Sequence, residues 1–242
     1  MPIYPPKLST TLCELQSKLE KPRERTRAIY HVDLEERQEL HKRKEWIKLR
    51  EAKKNNFDAY VKACGMPKIF QGVKFSVDEE CFLRNSLFIT GGFGTGKTYK
   101  AVSILKGFIK NLPCGHFIEP FKNIPIFITI PELLMEIRSY LNSTTTSELD
   151  ALKRYFDSPL LILDDLGVEK TTEWALQSLY VIINKRLSEE RETIITSNLS
   201  LDELKDKIGD RIVSRIVGMC KVIKLVGKDR RLTYENRTQK CK

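Results

Sequence analysis

Gly91-Gly92-Phe93-Gly94-Thr95-Gly96-Lys97-Thr98 fits the pattern G-x-x-x-x-G-K-[ST], with the apolar run of residues 86–90 ahead of it and a helix-like run, 99–109, behind it. A strand that feeds a glycine-rich turn into a helix start aims several backbone N–H groups at one point, where the helix dipole also favours an anion. A chance glycine-rich turn would not need a strand before it and a helix after it. The stretch therefore reads as a phosphate-binding loop. Gly91 to Tyr99 form the candidate nucleotide-contacting run, in which Lys97 reaches the β- and γ-phosphates and the Thr98 hydroxyl holds Mg²⁺.

Working outward from this loop, short β-type runs alternate with helical ones. Strands are expected at 87–90, 125–130, 160–164, 193–197 and 220–226, and helices at 131–142, 147–156 and 174–187. Such alternation implies an α/β fold with a mostly parallel sheet covered on both faces. Thr171 or Thr172 is the expected N-cap of the helix over 174–187, with Glu173 in its first turn.

Leu160-Leu161-Ile162-Leu163-Asp164-Asp165-Leu166-Gly167 is an apolar run that ends in two adjacent acids. A buried strand of this kind delivers carboxylates at the carboxyl edge of the sheet, where ligands of open α/β sheets bind and where the phosphate-binding loop also lies. Asp164 would hold Mg²⁺ and Asp165 would polarise the water that attacks the γ-phosphate. Thr196-Ser197-Asn198 ends the next strand. Asn198 could contact the γ-phosphate or orient the water, or it could cap the helix that starts at Leu201. Arg211 and Arg215 stand four residues apart on one helical face, either to serve a neighbouring subunit's γ-phosphate or as ordinary surface residues.

The chain has 242 residues, 41% hydrophobic content and a net charge of +10. Residues 1–75 carry 17 Lys/Arg against 10 Asp/Glu, so most of the basic excess lies there. That excess suits nucleic acid, an acidic protein surface or a solvated helix face. The region is rich in charged helix formers over 33–62, with a loose apolar stripe that includes Leu34, Leu40, Trp46, Ile47, Phe57, Tyr60 and Val61. Gly65-Met66-Pro67 ends this helix, and a linker is expected near 64–75, dividing a helical region 1–75 from a domain 76–242. Six scattered cysteines without a C-x-x-C pair suggest neither a zinc site nor a disulfide framework. No run reaches the roughly 18 apolar residues of a membrane span, and Met1-Pro2-Ile3-Tyr4-Pro5-Pro6-Lys7 lacks a signal-peptide layout, so a cytoplasmic location without membrane partners is expected.

Taken together, GGFGTGKT, LLILDDLG and TIITSNLSLDELKDKIGDRIVSRI closely resemble the DnaC/IstB-like branch of the AAA+ ATPases, over roughly residues 64–232. The resemblance implies a three-layer P-loop AAA+ fold preceded by a small helical N-terminal domain, ATP and Mg²⁺ as ligands, and self-association through the ATP sites. It puts the arginine finger on Arg215 with Arg211 one turn earlier, the first sensor on Asn198, and the second sensor on Arg230 or Arg231. The family's insertion that contacts single-stranded DNA falls on 131–156, where Arg138, Tyr140, Lys153, Arg154 and Tyr155 are candidates. Many AAA+ enzymes carry Glu at the position of Asp165, which implies weak turnover here, and no several-helix lid is recognisable after residue 232. The implied function is loading of a hexameric replicative helicase onto single-stranded DNA, with residues 1–75 holding the helicase. The alternatives are a transposition helper ATPase that binds duplex DNA and recruits a transposase, and a nucleotide-dependent binding module with almost no hydrolysis.

Overall fold

The computed structural model describes residues 22–75, 82, 84–118, 123–141, 148–168, 172–227 and 229, with side chains described from residue 38 onward except at 141 and 148–151. Helix α1 spans Pro22–Ala63 and is followed by β1 (Leu87–Gly91), α2 (Lys97–Asn111), β2 (Ile126–Thr129), α3 (Ile130–Leu141) and α4 (Glu148–Asp157). Then come β3 (Leu160–Leu166), α5 (Glu173–Ser188), β4 (Glu192–Ser197), α6 (Leu201–Ile208), α7 (Asp210–Met219) and β5 (Lys221–Leu225). The expected elements all form; from β1 onward their ends lie within two residues of those expected, whereas α1 starts at Pro22, eleven residues before the expected helical stretch. Thr172 caps α5, its hydroxyl accepting from the Ala175 N–H at 3.2 Å.

The five strands form one sheet in the order β2-β3-β4-β1-β5, and each of its four pairings is parallel. This is the AAA+ arrangement of a P-loop α/β fold. Side chains alternate between faces along each strand. Leu87, Ile89, Leu160, Ile162 and Ile194 enter one core, with α2 and the last turns of α1, while Phe88, Leu161, Leu163 and Ile195 enter the other, with α3 to α7. Strands covered on both faces must be apolar throughout, which is why they read as continuous apolar runs in the sequence.

The chain divides into two compact units, Met1–Ala52 and Lys53–Lys242. In the first, Leu40, Trp46 and Ile47 are 52%, 54% and 46% exposed, and the Arg50 guanidinium lies 5.2 Å from the centre of the Trp46 ring. The second begins well before residue 76, because the stretch expected to be linker is part of its core. Tyr60, Val61, Cys64, Met66 and Val73 are all buried. Lys53 Nζ donates to the Lys110 and Leu112 carbonyls at 2.7 Å each, and the Asn56 amide donates to the Phe117 carbonyl at 2.9 Å. The Phe127 N–H on the edge strand β2 donates to the Cys64 carbonyl at 2.7 Å, so this segment satisfies an edge donor that would otherwise be open.

At the amino edge of the sheet Arg186 is fully buried and holds three elements together. Its Nη1 donates to the carbonyls of Tyr155 at 2.7 Å and Ser158 at 2.9 Å, its Nε to the Thr193 hydroxyl at 2.8 Å, and its Nη2 to the Glu192 carbonyl. The guanidinium thereby satisfies carbonyls at the C-terminus of α4 that the helix itself cannot. Burial pushes its pKa down to about 9, yet it keeps its charge at neutral pH. Arg186→Ala would leave these acceptors buried without a donor. Urea unfolding of the variant should show a loss of about 3 kcal/mol or more, with Arg186→Lys restoring only part of it, since an ammonium cannot reproduce the planar fork.

Candidate nucleotide site

The loop between β1 and α2 takes its shape from two constraints. Gly96 sits at the N-cap of α2 with φ 95°, a left-handed backbone that a side chain would resist. Gly91 runs so close to β5 that a Cβ there would collide with the Leu225 carbonyl oxygen. Lys97, only 5% exposed, points back into the loop, where its Nζ donates to the carbonyls of Gly91 at 3.0 Å and Gly92 at 2.8 Å. An ammonium is thus held beside the N-terminus of a 15-residue helix, a pairing that suits phosphate oxygens. Phe93 and Tyr99 are 70% and 49% exposed at the rim of the loop.

Thr98, on the first turn of α2, donates its hydroxyl to the Asp164 carboxylate, 3.1 Å from each oxygen. The Thr196 hydroxyl on β4 donates to Asp164 Oδ1 at 2.6 Å and accepts from the Asp165 N–H at 3.0 Å. Asp164 is therefore fixed between the start of α2 and the end of β4. Its carboxyl is 4% exposed, and burial pushes its pKa up to about 6 against the hydrogen bonds from Thr196 and Thr98, with the charge of Asp165 adding to the rise. A buried carboxylate beside a hydroxyl is an oxygen-only donor pair that a hard divalent cation such as Mg²⁺ fits, and such a cation would offset the cost of its charge.

Two adjacent strand residues normally face opposite sides of a sheet. The β3–β4 register shifts between Leu163 and Leu166, and Asp165 takes a left-handed φ of 61°. The strand also runs two residues beyond Asp164, so the acids lie at this irregularity rather than after the strand end. Asn198 follows directly on β4 and is half-buried. It does not cap α6, because Ser200 does so through a capping box with Glu203, which removes one of the two readings of Asn198. The candidate second sensors Arg230 and Arg231 lie outside the described residues. Their neighbour Asp229 packs against the loop, where its carboxylate occupies the space a Gly94 side chain would need.

The family model described as IstB-like ATP binding protein matches residues 79–238, well over half of the chain. The chain belongs to the IstB-like ATP-binding family. The family is one of ATP-binding proteins, and the loop lies within the matched residues. The IstB-like chain is 27% identical over 158 residues to the replicative helicase loader DnaI of Bacillus subtilis, covering 60% of this chain and 47% of that protein. It is 24% identical over 131 residues to the replicative helicase loader DnaC of Escherichia coli K12, covering 54% of this chain and 49% of that protein. The chain spans about half the length of the curated relatives it matches. The structure of AMPPCP-bound DnaA from Aquifex aeolicus superposes with a TM-score of 0.50 at 23% identity over 62% of this chain and 43% of that one, which is a likeness of fold.

Away from the loop of this IstB-like domain, Arg211 and Arg215 lie on α7 beside α5, and both guanidinium groups stack on Tyr180. On α3 and α4 the residues considered for DNA differ in what they offer. Tyr155 is 1% exposed and gives its hydroxyl to Glu136, so it is a core residue and cannot stack on a base, which corrects its assignment. Arg154 pairs with Glu136 at 3.3 Å, Arg138 lies 4.9 Å from the Trp174 ring centre, Lys153 is exposed and Tyr140 half-buried. Sequence reasoning overlooked Thr196, whose only signal was a polar residue at the end of an apolar strand, and the Tyr180–Asn184 pair on α5, which carries no motif.

The raised pKa of Asp164 has a testable consequence. Between its ordinary value of 3.8 and about 6 the folded chain holds a proton that the unfolded chain has released, so its stabilising contribution is complete below the lower value and is lost as pH rises through the upper one. Thermal melts without nucleotide or divalent cation should therefore show the stability difference between the natural chain and Asp164→Asn shifting in favour of the variant from pH 4 to pH 6. The difference should level off above pH 7.

Proposed function

We propose that this chain is an ATP-driven loader that delivers a hexameric replicative helicase to single-stranded DNA, with ATP binding and hydrolysis controlling assembly and release. The observation that carries the reading is the Lys97, Thr98 and Asp164 constellation, built within a domain whose relatives are named replicative helicase loaders in two bacteria.

In this reading Lys97 turns from the loop carbonyls to the β- and γ-phosphates, and the backbone N–H groups at the start of α2 hold the phosphate chain. Thr98 and Asp164 would hold Mg²⁺, which when bound would supply positive charge to offset that of the phosphates. Thr196 keeps Asp164 in place through its hydrogen bond to Oδ1. Asp165 accepts a proton from the attacking water as its oxygen bonds to the γ-phosphorus and the bond to the β–γ bridging oxygen breaks, releasing ADP and phosphate. Asn198 orients that water or the γ-phosphate. Arg215 of one protomer enters the γ-phosphate site of the next, with Arg211 one turn earlier. A second-sensor role for Arg230 or Arg231 belongs to the same scheme. The shorter reach of Asp165, compared with Glu, favours slow turnover.

Such a site can switch assembly without large catalytic power. A ligand shifts a two-state equilibrium by its differential affinity, and a few kcal/mol moves it strongly. The γ-phosphate is the group whose contacts differ between the ATP and ADP states. Residues 1–75 are the proposed helicase-holding region, and the exposed Leu40, Trp46 and Ile47 on α1 support it as apolar contacts within a basic surface. Arg138, Tyr140, Lys153 and Arg154 on α3 and α4 are the proposed contacts to single-stranded DNA.

Lys97→Ala should abolish nucleotide binding in equilibrium titration, at least a hundredfold, while Arg215→Ala should leave it intact and remove the rise in ATPase rate per protomer with protein concentration. The functional reading itself is tested by co-purification of the full chain with the replicative helicase of its host, with ATP and Mg²⁺. A complex that is lost on combined Leu40→Ala, Trp46→Ala and Ile47→Ala substitution supports a loader that docks through α1. No complex, together with ATP-dependent assembly on duplex DNA and capture of a transposase, would replace the loader with the transposition helper.

A further inference from the structure

Helices α5 and α7 pack against each other, and each presents a polar pair at i, i+4 to the other: Tyr180 and Asn184 on α5, Arg211 and Arg215 on α7. Arg215 Nε donates to the Asn184 side-chain oxygen at 2.8 Å, and its guanidinium carbon lies 5.9 Å from the centre of the Tyr180 ring. Arg211 reaches the same ring at 5.6 Å but has no hydrogen bond to α5 among the described residues. All three of Tyr180, Asn184 and Arg215 are half-buried, so the arginine is anchored at its inner end while remaining accessible.

The chemistry of the two anchors is the telling part. Asn184 is neutral and takes the Nε–H, and the ring face of Tyr180 attracts the guanidinium without neutralising it. A carboxylate in either position would form an ion pair and cancel the charge. Among the described residues Asn184 is the only hydrogen-bond partner of the Arg215 side chain, which leaves the terminal Nη1 and Nη2 groups available as a planar fork of the kind that grips phosphate oxygens. Arg186, two residues beyond Asn184 on the same helix, shows the opposite arrangement: it is fully buried, and every guanidinium nitrogen is engaged by an acceptor of this chain.

We propose that Tyr180 and Asn184 form a platform that pre-orients Arg215, with its charge and terminal nitrogens free, for the γ-phosphate of ATP bound to an adjacent copy of this chain. Tyr180 and Asn184 are positioning residues, and their role rests on the assignment of Arg215 as an arginine that acts in trans. Arg211 shares the ring and steadies the stack, so it contributes less than Arg215. Holding the arginine in place before the copies meet raises the fraction of encounters in which the fork is correctly aimed.

The test is ATPase rate per protomer as protein concentration rises, using full-length chains. Asn184→Ala and Tyr180→Ala should each lower the concentration-stimulated kcat about tenfold, with KM for ATP and ATP affinity at low protein concentration unchanged. Tyr180→Phe, which keeps the ring, should behave like the natural chain, and Asn184→Ala added to Arg215→Ala should have no further effect. Mixing Asn184→Ala with Lys97→Ala should restore stimulated hydrolysis, because the second variant lacks a working nucleotide site but donates an intact Arg215 to its neighbour. Undiminished stimulation in Asn184→Ala, alongside loss in Arg215→Ala, would overturn the platform and leave the trans arginine standing. Failure of the mixture to recover would place the Asn184 defect in its own site or fold and likewise overturn the platform. Undiminished stimulation in Arg215→Ala, or none in the natural chain, would overturn the trans assignment and the platform together.

Discussion

The carboxylate of Asp164 is the point on which the site depends. It is almost fully buried, and it meets hydroxyls from the first turn of α2 and from β4, so a single ionisable group on β3 joins the helix that follows the phosphate-binding loop to the neighbouring strand of the sheet. Burial raises its pKa to about 6 despite these hydrogen bonds. The fold therefore carries a carboxyl whose ionisation is costly until positive charge arrives. That is the electrostatic condition under which a cation and a polyphosphate gain most from entering together. The register shift in β3 falls at the same place, between Leu163 and Leu166, and spans both acids.

The opposite edge of the sheet shows what a buried charge looks like when its task is structural. Arg186 is enclosed and hydrogen-bonded through its whole guanidinium, which ties α4 to the starts of β3 and β4. The parallel pairings of β3 with β2 and β4 set the strand spacing toward the carboxyl edge. Thr98, Asp164 and Thr196, from three different segments, can then meet within hydrogen-bonding distance. Arg215 is held more lightly, by one neutral acceptor and one ring face, and its remaining donors are not consumed. The two arginines differ in role because of what surrounds them, not because of any property of the residue.

Much of the fold was legible before any coordinates. The P-loop pattern, the alternation of β-type and helical runs and the apolar strands gave a parallel sheet covered on both faces, because strands buried on two sides must be apolar throughout. The nucleotide end was equally legible: Lys97 and Thr98 have a spacing set by one tight turn, and Asp164 ends an apolar run. Less could be read where long-range packing decides. Residues 64–75 look like a linker, with Gly, Pro and polar residues, yet Cys64, Met66 and Val73 are buried and the Cys64 carbonyl accepts from β2. Tyr155 looked like a stacking aromatic on an exposed insertion, but it packs into the core.

What the sequence by itself determined was local in origin: the phosphate-binding turn, the strand and helix types, the cap at Thr172 and the identity of the acids. Each follows from residues within a few positions of one another, where steric and hydrogen-bonding rules act directly. Only the tertiary structure decided that β4 lies between β1 and β3, and hence that Thr196 meets Asp164. It also decided that Asn184 meets Arg215, and that the C-terminal turns of α1 complete the core beneath the sheet. These pairings join residues roughly 30 or more positions apart. No local rule encodes such distances; they are set by which apolar faces must be buried against which.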